Sequence, residues 1–312
     1  MTGVVFFMNW EVSLIIWLQA RMGAAGTALV SFFTMFGEQL ISVPLLGFLY
    51  WCYDKEIGRF VGLHTLVGTT LNPMVKNLFL RRRPYFVHEE IRCLRPVDRS
   101  ASVDDIAAQG FSFPSGHSTN AVLIFGSLAR CVRKRWMTAL GILIPLLCGL
   151  SRFCLGVHYP TDVLCGWLLG AAVLFLLPLL ARKLREPRVL YAVILAAMLP
   201  GFFYCRSGDY FASYGILAGF LAGDLFERRF VHFACTRHPL RCLLRLAGGL
   251  SLCLALLMLT RLPFSQAFSA SGRRAAMLVR TLRYGLSSFV CIGVYPMLFP
   301  FMDRLIPEKK KP

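Results

Sequence analysis

Lys76 and Arg83 stand seven residues apart in the string Lys76-Asn-Leu-Phe-Leu-Arg-Arg-Arg83-Pro84. On a helix that spacing is close to two turns and sets both cations on nearly one face. Pro84 disfavours helix at the residue before it, so the helix is predicted to end at Arg83. A snorkelling lysine followed by an ordinary basic flank would give the same string. A second segment, Phe113-Pro114-Ser115-Gly116-His117-Ser118, reads as a helix start with proline in the first position and the next amides directed outward. Gly116 lets an anion approach the backbone, Ser115 adds a hydroxyl donor, and His117 could deliver a proton from the same turn. A plain helix cap with an interfacial histidine is the alternative. The third segment runs Ser151-Arg152-Phe-Cys-Leu-Gly-Val-His158-Tyr-Pro160-Thr-Asp162. Pro160 again marks a helix start, with Asp162 in its first turn. Four residues from His158, that carboxylate could hold one imidazole nitrogen and leave the other as a nucleophile. Arg152 brings a planar fork suited to phosphate oxygens. An Asp that caps a helix and bonds a nearby His would explain two of these residues but leaves Arg152 without a reason.

Long apolar elements must position these groups. Of 312 residues, 56% are hydrophobic and 16% charged, and the mean hydropathy is +0.60. Soluble proteins lie nearer about 45–50% apolar and about 25% charged. Apolar runs fall near 38–53, 57–80, 115–131, 136–153, 160–181, 188–205, 209–227, 241–260 and 284–302. Most are long enough to cross a hydrocarbon core of about 30 Å, and lipid admits only helices or closed barrels. None shows the alternation of a barrel strand. The expected fold is therefore all-α, a polytopic bundle of about nine spans. Residues 9–36 break into two short apolar pieces around Arg21, Gly23 and Gly26, which reads as an interfacial or re-entrant segment, with ten spans if they cross. No basic region precedes the first apolar stretch, so a cleavable signal peptide is not expected. No linker divides the chain. It is read as one membrane domain over 1–312, with 1–36 interfacial, 37–182 the core that carries the three segments, and 183–312 additional helices.

Nineteen of the 34 basic residues fall in loops on one side, Lys309, Lys310 and Lys311 among them, although Arg273, Arg274, Arg280 and Arg283 crowd the other. The richer side is expected in the cytoplasm. All three segments then meet at the opposite, less basic end, together with the polar insertion 84–113, which is long enough to act as a binding loop. Three cations, two histidines and a carboxylate gathered at membrane depth are a functional site by default, since each such charge costs about 2.5–3.5 kcal/mol to insert. The net charge of +18 sits in short clusters between apolar runs. It reads as a topology signal, and no nucleic-acid partner is expected. Eleven scattered cysteines with no CxxC pair exclude a disulfide scaffold and indicate no zinc site.

Lys76-x6-Arg83-Pro84, Pro114-Ser115-Gly116-His117 and Ser151-Arg152-x5-His158-x3-Asp162 resemble the three-part signature of the type 2 phosphatidic acid phosphatase superfamily, in order and spacing, over residues 57–181. The resemblance implies a cofactor- and metal-independent hydrolase working through a phosphohistidine. His158 is then the nucleophile, Asp162 its partner and His117 the acid, while Lys76, Arg83, Ser115, Gly116 and Arg152 hold the phosphoryl oxygens. It implies a lipid phosphate monoester or diphosphate as substrate, phosphatidate-like or undecaprenyl diphosphate-like, at the extracytoplasmic face of a bacterial plasma membrane. The alternatives are a membrane phosphotransferase, a sugar-phosphate phosphatase, and a binder or transporter that keeps the site without turnover. Elsewhere, Glu38 is read as a solvated helix start and Asp224 as a structural partner of Arg228 one turn on.

Overall fold

Helices build nearly all of the computed structural model, which describes residues 3–98, 100–260 and 273–306. The basic tail Lys309, Lys310 and Lys311 and the Arg273 side chain lie outside the described residues. The helices are α1 (Asn9–Arg21), α2 (Ala24–Thr34), α3 (Gln39–Phe48), α4 (Lys55–Phe79), α5 (Ile106–Gln109), α6 (Gly116–Val132) and α7 (Arg135–Cys154). They continue as α8 (Pro160–Leu184), α9 (Pro187–Met198), α10 (Gly201–Tyr204), α11 (Gly208–Phe226), α12 (Pro239–Leu259), α13 (Arg273–Phe289) and α14 (Phe299–Leu305). The all-α reading holds.

The span count differs from the expected nine. Among the described residues, five helical stretches are long and apolar enough to cross a bilayer. A sixth is added if Ala24–Gly37 and Gln39–Tyr53, bent by 43° at Glu38, count as one broken span. The remaining runs fall short for local reasons. Helix α6 has 17 residues, α4 carries Lys55, Glu56, Arg59 and Lys76, and α11 carries Asp209 and Asp224 among small residues.

The chain packs as two compact units. The first comprises residues up to Ser42, Val67–Lys183 and Phe203–Ser207. In it α1 buries Ile15 against Ile91, Phe153, Tyr159 and Val163. Helices α6 and α8 approach so closely that a Cβ on Gly166 would lie 2.6 Å from the Ser115 carbonyl oxygen. One turn on, a Cβ on Gly170 would meet Val122 at 2.9 Å. Small residues four apart permit this backbone approach, as in membrane helix pairs generally. It draws the first turn of α8 onto the turn that opens α6, where the Ser115 amide donates to the Asp162 carbonyl at 2.9 Å.

The second unit comprises Val43–Leu66, Leu184–Phe202 and the chain from Gly208. Tyr50, Trp51, Phe233, Tyr295 and Phe299 form its core, and Gly219 on α11 faces Gly285 on α13 at backbone contact. Its buried charges are paired: Arg59 with Asp224, Glu227 and Glu56, Lys55 with Glu227 at 2.9 Å, and Arg228 with Asp224 at 2.8 Å. Asp224 is thus a structural ion, as its spacing from Arg228 indicates.

Candidate active site

The helix spacing predicted for Lys76 and Arg83 is not what brings them together. Helix α4 ends at Phe79, and Leu80 turns the chain into the left-handed region at φ 51°. The next residues run extended because Val4 pairs with them: its amide donates to Leu80 O at 2.8 Å and its carbonyl accepts from Arg82 at 3.0 Å. Arg83 therefore enters from an extended segment, capped by the short turn Pro84–Phe86. Its Nη1 donates to Val157 O at 2.9 Å and lies 3.3 Å from His158 Nε2. Its Nε donates to the carbonyls of Gln109 and Gly110, at 3.0 Å each. Lys76, on the last turn of α4, donates to Phe111 O at 2.8 Å.

The turn that opens α6 is offset by two residues from its predicted form. Ser115 is the N-cap and Gly116 the first helical residue, so Pro114 precedes the cap. The Ser115 hydroxyl accepts from the Ser118 amide at 3.4 Å and lies 2.9 Å from the Ser118 hydroxyl. The amides of Gly116 and His117 have no acceptor within the helix, as at every helix start. Buried Asn72 on α4 fixes the turn by donating to Pro114 O and Thr119 Oγ1, at 3.3 Å each. His117 Nε2 stands 3.9 Å from Glu38 Oε1. Glu38, expected as a solvated helix start, also holds Arg95 at 2.7 Å.

Arg152 closes α7 and is 2% exposed. Its Nη1 donates to Thr34 Oγ1, whereas its Nε is buried with no hydrogen-bond acceptor. Such a buried donor is costly unless something meets it. His158 follows in the turn between α7 and α8, 1% exposed. Gly156 makes that turn possible at φ +76°, and a Cβ there would collide with the Arg92 carbonyl and the Gln19 side chain. Burial, then the charges of Arg83, Lys76 and Arg152, hold the His158 imidazole well below the usual histidine range, and His117 acts on it in the same sense. The direction favours a neutral His158, with four other groups of the predicted site acting on its ring.

Asp162 Oδ2 accepts from the Tyr159 amide at 2.7 Å and lies 3.5 Å from His158 Nδ1. That nitrogen makes no aligned hydrogen bond. The contact is one of charge, because the carboxylate is engaged elsewhere: Oδ1 accepts from Arg81 at 2.6 Å. The eight predicted residues thus gather in the first unit at the C-terminal ends of α4 and α7 and the N-terminal ends of α6 and α8. Among the described residues, no group of three His, Cys, Asp or Glu side chains is placed to hold a metal ion.

A family model described as the PAP2 superfamily matches residues 58–186, and one for the transmembrane extension of PAP2 superfamily phosphatases matches 211–305. A decaprenylphosphoryl-5-phosphoribose phosphatase of Mycobacterium tuberculosis is 32% identical over 144 residues, 44% of this chain and 71% of that protein. The chain belongs to the PAP2 superfamily. An undecaprenyl-diphosphatase of Sulfolobus acidocaldarius is 28% identical over 47% of this chain and 67% of its own length. A solved PAP2-type phosphatidylglycerolphosphate phosphatase of Bacillus subtilis shares 25% identity, with TM-score 0.43 over 56% of this chain and 88% of that one.

Around the PAP2 motifs stand polar residues that the sequence reading did not single out. Glu11, Gln19 and Thr34 are buried on the two helices expected to be interfacial. Gln19 exchanges hydrogen bonds with the Arg92 backbone, at 2.9 and 3.0 Å, and so ties down the long insertion. The available signal was their type: uncharged or acidic polar residues inside short apolar helices that would otherwise be wasted in lipid.

Proposed function

We propose that this PAP2-type phosphatase hydrolyses a lipid phosphate monoester or diphosphate at the extracytoplasmic face of a bacterial plasma membrane, by way of a phosphohistidine and without a metal. One observation carries the reading: a buried, neutral imidazole whose Nε2 faces the Arg83 guanidinium at 3.3 Å, with further cations at Lys76 and Arg152 acting on the same ring. A neutral imidazole is a nucleophile, and a set of fixed cations is what a transferring phosphoryl group requires.

Nε2 of His158 attacks phosphorus, forming the N–P bond as the bond to the leaving oxygen breaks. His117 donates its proton to that oxygen. Asp162, beside Nδ1, stabilises the positive charge the ring acquires. Water then attacks phosphorus while His117 takes its proton; the N–P bond breaks and His158 returns to neutral. Lys76, Arg83, Arg152 and the amides of the α6 N-terminus hold the three non-bridging oxygens, and the orphan Nε of Arg152 gains an acceptor in the process. Phosphate-monoester hydrolysis is among the slowest uncatalysed reactions, so these contacts must lower the barrier by on the order of 20 kcal/mol. The undecaprenyl-diphosphatase and the decaprenylphosphoryl-5-phosphoribose phosphatase named above are, by name, phosphatases of prenyl-linked substrates, and long apolar helices next to the site would give a lipid lateral access.

The experiment is phosphate release by purified protein in detergent from undecaprenyl diphosphate, phosphatidate and phosphatidylglycerol phosphate, beside glucose 6-phosphate as a soluble control. Release from a lipid but not from the sugar phosphate supports the proposal. Binding of every lipid without any release would overturn it in favour of a lipid-phosphate binder.

A further inference from the structure

Arg81 is not one of the motif cations, yet it is 2% exposed and has every guanidinium nitrogen engaged. Its Nε donates to Phe6 O at 2.8 Å. Its Nη1 donates to Thr161 Oγ1 at 2.8 Å and Asp162 Oδ1 at 2.6 Å, and its Nη2 to Glu11 Oε2 at 2.9 Å. The guanidinium plane is covered by Tyr159 at 4.0 Å and by Phe6 at 4.5 Å. Glu11 is itself wholly buried. Its Oε1 accepts from the Thr161 amide at 3.0 Å and hydroxyl at 2.6 Å, and its Oε2 also accepts from the Met8 amide at 3.0 Å. Burial opposes the charge of Glu11, but the hydrogen bonds from Thr161 and Met8 and the charge of Arg81 prevail and keep it ionised. Two buried carboxylates thus share one guanidinium, and one of the two is the partner of His158.

We propose that Glu11 and Arg81 are positioning residues for the Asp162–His158 pair. Helix α1 clamps the first oxygen of Asp162 through Arg81 and so fixes where the second oxygen meets the ring. The proposal rests on the phosphatase reading above and assigns a role to a helix that lies outside the matched region 58–186. Asp162 cannot be oriented by His158 alone, because the ring contact is 3.5 Å and unaligned. Its two firm anchors are the Tyr159 amide and Arg81. Arg81 in turn cannot centre itself on Asp162 while Glu11 pulls on the other nitrogen. Were the ion triad simply fold cement, nothing would require its central cation to bind the very oxygen next to the one that faces His158. A buried pair needs such geometry to offset its desolvation, and here the geometry is spent on a catalytic carboxylate.

The groups that face these residues are Arg83, Lys76, Arg152 and His117 around His158, Arg81 and Lys76 around Asp162, and Arg81 around Glu11. Glu11→Gln leaves Arg81 to neutralise Asp162 alone, so the ring loses support for its positive form. Glu11→Gln combined with Arg81→Met removes the clamp as a neutral pair and leaves Asp162 free to act on the ring at full charge. The two changes should therefore displace the acid limb of kcat/KM in opposite directions, the single variant to lower pH and the double variant to higher.

The test uses full-length protein in detergent, scored on the monodisperse folded fraction. Both variants should lose kcat by about tenfold or more, the scale of a displaced catalytic group, with KM changed less than about twofold. Glu11→Asp, which keeps the charge on a shorter arm, should recover part of the loss. The titration of the His158 ring, followed by nitrogen-15 NMR in histidine-labelled protein, should show the same opposite displacements without turnover. Losses that track only the folded fraction, with the acid limb and the ring titration unmoved, overturn the proposal. A wild-type protein that releases no phosphate sinks the phosphatase reading instead, and the ring titrations still decide the positioning claim.

Discussion

Arg83 Nη1 lies 3.3 Å from Nε2 of His158, so a fixed cation stands where a proton on that nitrogen would otherwise sit. Burial and then the cations keep the ring neutral well below the usual histidine value of 6.5. The sign follows. A depressed pKa keeps the nucleophile deprotonated as the medium is acidified, so the acid limb of kcat/KM should lie below pH 6.5. The fold correspondingly loses stability as pH falls below the free value, because unfolded histidine binds the proton more readily. Measurement of kcat/KM against pH on a lipid phosphate checks this, and an acid limb at or above 6.5 would contradict it. His158→Ala should abolish release while the protein remains monodisperse.

His117 is the more open of the two histidines, its side chain 21% exposed against 2% for His158, and its Nε2 stands 3.9 Å from Glu38 Oε1. A proton donor matters most when the leaving oxygen is basic. His117→Ala should therefore slow hydrolysis of an alkyl lipid phosphate by about 10²–10⁴-fold and that of p-nitrophenyl phosphate much less. Equal losses on both substrates would remove the acid role. Glu38→Gln should show the same leaving-group pattern to a smaller degree.

Arg152 offers a buried Nε with no acceptor of its own, in a guanidinium whose charge acts on the His158 ring. Lysine cannot present that second nitrogen in the same plane. Arg152→Lys should raise KM for substrate and the inhibition constant for vanadate together, by about tenfold or more for a lost charge-assisted hydrogen bond. Substrate affinity and vanadate affinity moving independently would argue against a shared phosphoryl site. On the proposed mechanism, in which Lys76, Arg83 and Arg152 hold the phosphoryl oxygens, EDTA should leave activity unchanged.

The candidate site of this chain was legible because its residues sit in short, local strings in which residue type is unusual for a membrane helix. His158, Asp162, Arg152 and His117 needed no fold to be noticed. What the strings could not convey was partnership across distance. Glu11 on α1 reaches Arg81 and Thr161, both far away in sequence, and nothing in the composition of an apolar piece announces such a pairing. The end of α4 differs from the expected one for a similar reason: Pro84 marks a boundary, but the chain leaves the helix at Leu80 because Val4, far away in sequence, pairs with it there. Helix existence follows from local apolar pattern. Helix ends depend on which remote backbone offers the next hydrogen bond.

Gly166 joins the fold to the site, and it supports a prediction about stability and activity at once. A methyl group there would stand 2.6 Å from the Ser115 carbonyl oxygen and 3.0 Å from the Ser118 Cβ, both part of the first turn of α6. Neither atom belongs to the far end of a flexible side chain, so α8 must withdraw from α6. Overpacking of this kind costs about 1–3 kcal/mol. The same withdrawal would stretch the 2.9 Å bond from the Ser115 amide to the Asp162 carbonyl and move the Gly116 and His117 amides relative to His158. Gly166→Ala should thus lower the melting temperature in detergent by several degrees and reduce kcat in the folded fraction. Gly170→Ala, one turn farther from the motifs, should lower the melting temperature while leaving more of the activity. If both glycines proved equally costly to kcat, the close approach would serve packing alone and the turn at Ser115 would be held by other contacts, Asn72 foremost.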